Sequence, residues 1–158
     1  MFELVAENLH FSEGPRWHQN KLWFSDFYQH AVFSIDEQGI LEKVVDIPNQ
    51  PSGLGWMPDG SMLIVSMLDR KVMKFKEGQL SVHADLSQLT AFRCNDMVVD
   101  EIGNAYVGNF GSLYHAKNIK PTCRLDIFCV IKRAKVANIC IANFVHNHIV
   151  TTECCQLR

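Results

Sequence analysis

Glu13, Arg93, Asn95 and Asp96 combine the residue types and places that do chemistry. Glu13 precedes Gly14-Pro15, and the other three stand where the chain enters the run Met97-Val98-Val99. Strand ends are where rigid β scaffolds display functional groups. Carboxylate and amide oxygens suit a hard cation. Each residue also has a plainer reading. Glu13 fits a solvated turn. Asn95-Asp96 fits an Asx turn capping a hairpin. Arg93 fits a surface charge paired with Asp96. Cys94 lies inside the same stretch, but no base adjoins it, so a small apolar filler is expected rather than a nucleophile. His146 and His148 are two apart, which on a strand turns both to one face, a weak metal pattern. Cys154-Cys155 has no evident role, and His10, His18, His30 and His83 read as scattered surface residues.

These groups need a scaffold, and the pattern points to strands. Lys21–Asp26 and Ala31–Asp36 read as strands, with Ile40–Val45 after the turn Glu37-Gln38-Gly39. Phe2–Leu9 alternates weakly and reads as one more. The pattern then restarts. Pro51-Ser52-Gly53-Leu54-Gly55-Trp56 echoes Gly14-Pro15-Arg16-Trp17, and strands are expected over Ser61–Ser66, Lys71–Phe75 and Gln79–His83. A third start at Asn95 leads into a hairpin of Asp96–Asp100 and Ala105–Gly108 around the turn Glu101-Ile102-Gly103-Asn104. Trp17 and Trp56 are 39 residues apart, and Gly60 and Gly103 are 43 apart. Units of roughly 40–45 residues with four short strands mark β-propeller blades. An ordinary β-sandwich is the alternative. Trp17, Trp23 and Trp56 are expected to pack in the core rather than form a sugar-stacking platform.

Composition divides the chain. Of 158 residues, 1–111 carry a net charge of −7 and 112–158 a net of +5. All nine glycines lie in the first segment, and five of the six cysteines in the second. The reading is a partial propeller over 1–111 and a tail without a recognisable domain over 112–158, where a strand or two, or a helix over Ile131–Ile141, would fit. The overall charge of −2 gives no argument for nucleic acid or a membrane surface. No run approaches the ~20 apolar residues of a membrane span. The N-terminus lacks a basic region followed by an apolar run, so a cytoplasmic protein with reduced thiols is expected.

Three motifs in order, S-E-G-P-R-W, P-S-G-L-G-W-M-P-D-G and R-C-N-D-M-V-V-D-E-I-G-N-A-Y-V-G-N-F-G, resemble the senescence-marker-protein/gluconolactonase/regucalcin family over about residues 3–111. The resemblance implies an all-β, six-bladed propeller with a divalent metal, calcium or zinc, in its central channel. It implies hydrolysis of a sugar-like lactone. Glu13 and Asn95 would be metal ligands and Arg93 would reach the substrate. The two remaining ligands of the family come from later blades. Asp126, Asn138, Asn143 and Asn147 lie in the tail but in no matching context. The general base is unassigned, with Asp96 a weak candidate.

Two functions follow. One is a metal-dependent lactone hydrolase whose propeller is truncated. The other is a catalytically inactive fragment, at most a binding or interaction module. Self-association through open strand edges is expected, since unpaired edges template further pairing.

Overall fold

The computed structural model describes residues 4–109, together with the strand segments 128–131, 141–142, 144–145 and 148–149. The described residues form three four-stranded antiparallel sheets and one two-stranded hairpin. Blade 1 is β1 (Ser12–His18), β2 (Lys21–Asp26), β3 (Ala31–Asp36) and β4 (Leu41–Asp46), paired in that order. Blade 2 repeats it with β5 (Pro51–Trp56), β6 (Met62–Ser66), β7 (Lys71–Lys76) and β8 (Gln79–Asp85). Blade 3 runs β9 (Cys94–Val99), β10 (Ala105–Asn109), β11 (Phe128–Ile131) and β12 (Ile141–Ala142). Its two outer strands therefore come from beyond Gly111, and Ile131 and Ile141 are strand residues. β13 (Phe144–Val145) and β14 (His148–Ile149) make the small hairpin.

Short turns tie the strands together as the sequence expects. Gln19 and Asn20 take positive φ between β1 and β2, as a tight hairpin turn requires. The blades pack face to face through apolar rows. Val32, Ile47, Leu54, Met62 and Ile64 form the cluster between blades 1 and 2. Leu63, Val65, Val72, Met97, Ala105 and Val107 belong to the one between blades 2 and 3. Gly53 is what lets β5 and β9 approach. A Cβ there would lie 2.3 Å from the Met97 backbone nitrogen. Among the described residues no helix is long and apolar enough to cross a membrane.

Three expectations change. Glu13 lies within the inner strand Ser12–His18 rather than in a solvated turn, and the echoing stretch Pro51–Trp56 is the inner strand of blade 2. Residues 4–9 form no strand. The buried Asp26 carboxylate instead accepts the backbone N–H groups of His10 at 2.7 Å and Phe11 at 3.2 Å. Those bonds fix the end of the segment as it crosses blade 1, where Ala6 and Leu9 cover Phe24, Phe33 and Ile35. Trp17 is not a core residue, being 62% exposed. Trp56 does pack, with its ring 4.2 Å from His18 and 5.4 Å from Trp23, which also makes His18 more than a surface residue.

Candidate functional site

Each inner strand carries one extra residue relative to its neighbour. The register slips between Glu13 and Arg16 in β1, between Pro51 and Leu54 in β5, and across Cys94–Met97 in β9. Such bulges re-aim side chains, and they recur beside active sites. Counting from the first paired residues, Ser12, Pro51 and Cys94, the residues Glu13, Ser52 and Asn95 hold the same position in successive blades, the second of each inner strand. Glu13 and Asn95 thus sit within strands rather than ahead of them.

The three side chains meet. Ser52 Oγ donates to Glu13 Oε1 at 2.5 Å and lies 2.8 Å from Asn95 Oδ1. The Ser52 backbone is held in turn, since its carbonyl accepts the Ser25 hydroxyl at 2.6 Å. Ser52 and Ser25 are fully buried. One hydroxyl proton thus serves two oxygen neighbours. Burial pushes the Glu13 carboxyl above its ordinary value, the Ser52 hydrogen bond pulls it back, and the negative charge of Asp96 raises it further.

The arrangement fits a hard cation. It offers one carboxylate, one amide and one hydroxyl oxygen from three strands, and positive charge would relieve both the proton shortage and the Glu13–Asp96 repulsion. Among the described residues no three His, Cys, Asp or Glu side chains cluster as a metal site. The donor set is therefore mixed, with calcium-like oxygens rather than zinc-like nitrogens and sulfurs.

The remaining sequence candidates fall around this cluster. Arg93 is exposed, immediately before β9, and no ion pair joins it to Asp96 among the described residues. Asp96 is exposed within β9 and acts on Glu13 through its charge. Cys94 is buried in the cluster between blades 2 and 3, as a filler should be. His146, the His148 side chain, Cys154-Cys155, Asp126, Asn138, Asn143 and Asn147 lie outside the described residues. Ser52 escaped the motif reading, yet a signal existed. The 39-residue spacing from Trp17 to Trp56, applied to Glu13, lands on Ser52.

The family model for the SMP-30/gluconolactonase/LRE-like region matches residues 11–143. The chain belongs to this family. The match continues past the composition border at Gly111. Among solved structures, a gluconolactonase from Xanthomonas campestris aligns with a TM-score of 0.61 at 19% identity, over 80% of this chain and 44% of its own. A protein assigned to the gluconolactonases gives 0.55 at 16% identity, over 77% of this chain and 44% of that one. A luciferin-regenerating enzyme gives 0.55 at 12% identity, over 76% and 40%. These similarities show the shared fold. The chain spans less than half the length of each of these structures. No curated protein matches it.

Proposed function

We propose that Glu13, Ser52 and Asn95 hold a divalent cation, calcium or zinc, at which a sugar-like lactone is hydrolysed by water. The observation that carries this reading is the meeting of three oxygen donors from equivalent bulges. When bound, the cation supplies Lewis-acid polarisation of the lactone carbonyl. Glu13 contributes the one formal negative charge among the three donors. Asn95 and Ser52 supply neutral oxygens, and the buried Ser52 backbone fixes their separation. Arg93, exposed beside Asn95, has donors free to orient substrate hydroxyls. Asp96, an exposed carboxylate whose charge reaches Glu13, is the candidate to take the proton of the attacking water. That proton then passes to the ring oxygen as the ester bond opens, leaving a hydroxy acid.

A second reading is that the chain binds a cation and a sugar-like ligand without turnover. The size of the donor set favours it, since calcium takes about 6–8 oxygens and the described cluster offers three. Hydrolysis of glucono-lactone decides between them. The lactonase reading expects metal-dependent turnover that EDTA abolishes and that Glu13→Gln and Asn95→Ala remove. Folded protein that binds calcium but hydrolyses lactone no faster than buffer selects the second reading.

A further inference from the structure

The blade equivalences expose two faces built alike for packing. In blade 2, the row Leu54, Trp56, Met62, Ile64 and Phe75 packs against blade 1. Trp17 pairs with Leu22, and Leu22 with Ile35, as Trp56 pairs with Met62, and Met62 with Phe75, so its counterparts in blade 1 are Pro15, Trp17, Leu22, Phe24 and Ile35. The same apolar row is present, yet no sheet among the described residues covers it. Residues 4–9 lie over part of it, leaving a groove of about 300 Å³ lined by Ala6, Leu9, Pro15, Leu22, Phe24 and Ile35. Trp17 is 62% exposed beside it, and Leu4 is 73% exposed in the covering segment.

Blade 3 presents the opposite face. Between blades 2 and 3 the small Gly55 meets Val99, where an added Cβ would lie 2.5 Å from Val99 Cγ2. Gly55 corresponds to Val98 of blade 3, and Val99 corresponds to Trp17 of blade 1. Val98 is 58% exposed. One established contact of the molecule thus has both of its halves repeated, on blade 1 and on blade 3, with no sheet against them among the described residues.

We propose that a second copy of this chain covers both faces: Val98 of each copy packs on Trp17 of the other, and two copies close a ring of blades. Continuity with the internal blade interfaces argues for this occupant, because the row in blade 1 is the kind that a β-sheet of this fold covers in blade 2. A twofold axis along the channel uses each face once per copy and leaves none open, so growth stops at two. Asp96 replaces the Gly14 and Gly53 of the other blades, so the joint is wider at its bulge end than the Gly53–Met97 contact. Sequence points to association through strand edges, whereas the unpartnered apolar row lies on a sheet face. This inference is independent of the lactonase reading.

Sedimentation equilibrium of the full chain tests it. The expected mass is twice the 18.0 kDa of one chain. Trp17→Arg and Val98→Glu should each weaken the pair at least tenfold, and Trp17→Ser should do so more mildly. Both positions of change are exposed, so the circular dichroism spectrum of each variant should match the parent. A chain that stays at 18.0 kDa, masses that grow without limit, or a pair indifferent to either position overturns the proposal. Trp17→Arg failing to fold leaves Trp17→Ser and Val98→Glu to decide.

Discussion

The inner strands β1 and β5 both carry a bulge in their first half and a tryptophan that pairs with the start of the next strand, yet the two tryptophans end in different environments. Trp56 stacks on His18 and meets Trp23 edge-on, while Trp17 is 62% exposed. Ser52 is buried and neutral, whereas Glu13 is half-buried and charged. The difference lies in what stands next to each strand. Blade 1 packs against β5, and no described blade stands on the far side of β1. Local sequence sets where a side chain is aimed. The neighbouring blade sets whether it is buried.

The largest expected effect separates the two tryptophans. Trp56→Ala should cost about 4 kcal/mol, as for a large aromatic lost from a packed interface. Trp17→Ala should change monomer stability by no more than about 0.5 kcal/mol, as at an exposed site. Urea unfolding at a concentration where the chain is monomeric checks both. Equal costs would break the comparison.

The glycines beside the bulges give the next contrast. Gly53→Ala puts a methyl group 2.3 Å from the Met97 nitrogen and 2.7 Å from the Asp96 carbonyl carbon, backbone that cannot turn aside. A loss of about 3 kcal/mol is expected. Gly14→Ala meets Ser52 O at 3.3 Å and keeps a φ of +62°, which costs a residue with a side chain about 1 kcal/mol. Thermal unfolding of both variants would show the order reversed if β1 and β5 approach blade 2 and blade 3 differently from this account.

The smallest effect concerns Glu13 and pH. Its carboxyl is held above the ordinary value of 4.5 by burial, against the Ser52 hydrogen bond and with help from Asp96. Below 4.5 the group is neutral in the folded and unfolded chain alike, and no stability is lost. As pH rises, the unfolded chain releases the proton first, so the fold loses stability until pH passes the raised value. Glu13→Gln should remove this loss, and the variant should melt above the parent at neutral pH while matching it in acid. A parent that gains on the variant as pH rises would show that Glu13 is held as an anion.

Much of this was legible in residue order. Lys21–Asp26 and Ala31–Asp36 are strands with those bounds, because β-branched and aromatic residues alternate between clear turns. The inner strands were not legible. S-E-G-P and P-S-G carry the glycine and proline of a turn, and only the close approach of the next blade makes extended backbone with a glycine the stable choice. Phe2–Leu9 had the alternation of a strand, but a single buried carboxylate 15 residues beyond Phe11 claims the backbone donors at the end of that segment. Glu13 and Asn95 stood out by type and motif. Ser52 did not, since its role depends on two residues 39 and 43 positions away. Arg93 was legible as a charge beside the site, and its pairing with Asp96 is not seen among the described residues.

Titration calorimetry of calcium and zinc into the folded chain and its Glu13→Gln variant tests the site most directly. The account predicts a weak endogenous site, with a dissociation constant above the micromolar range because three protein oxygens leave the rest of the shell to water. It predicts that the binding heat disappears in Glu13→Gln and falls in Ser52→Ala while both variants stay folded. Binding of unchanged strength in Glu13→Gln would place the cation elsewhere and contradict the account.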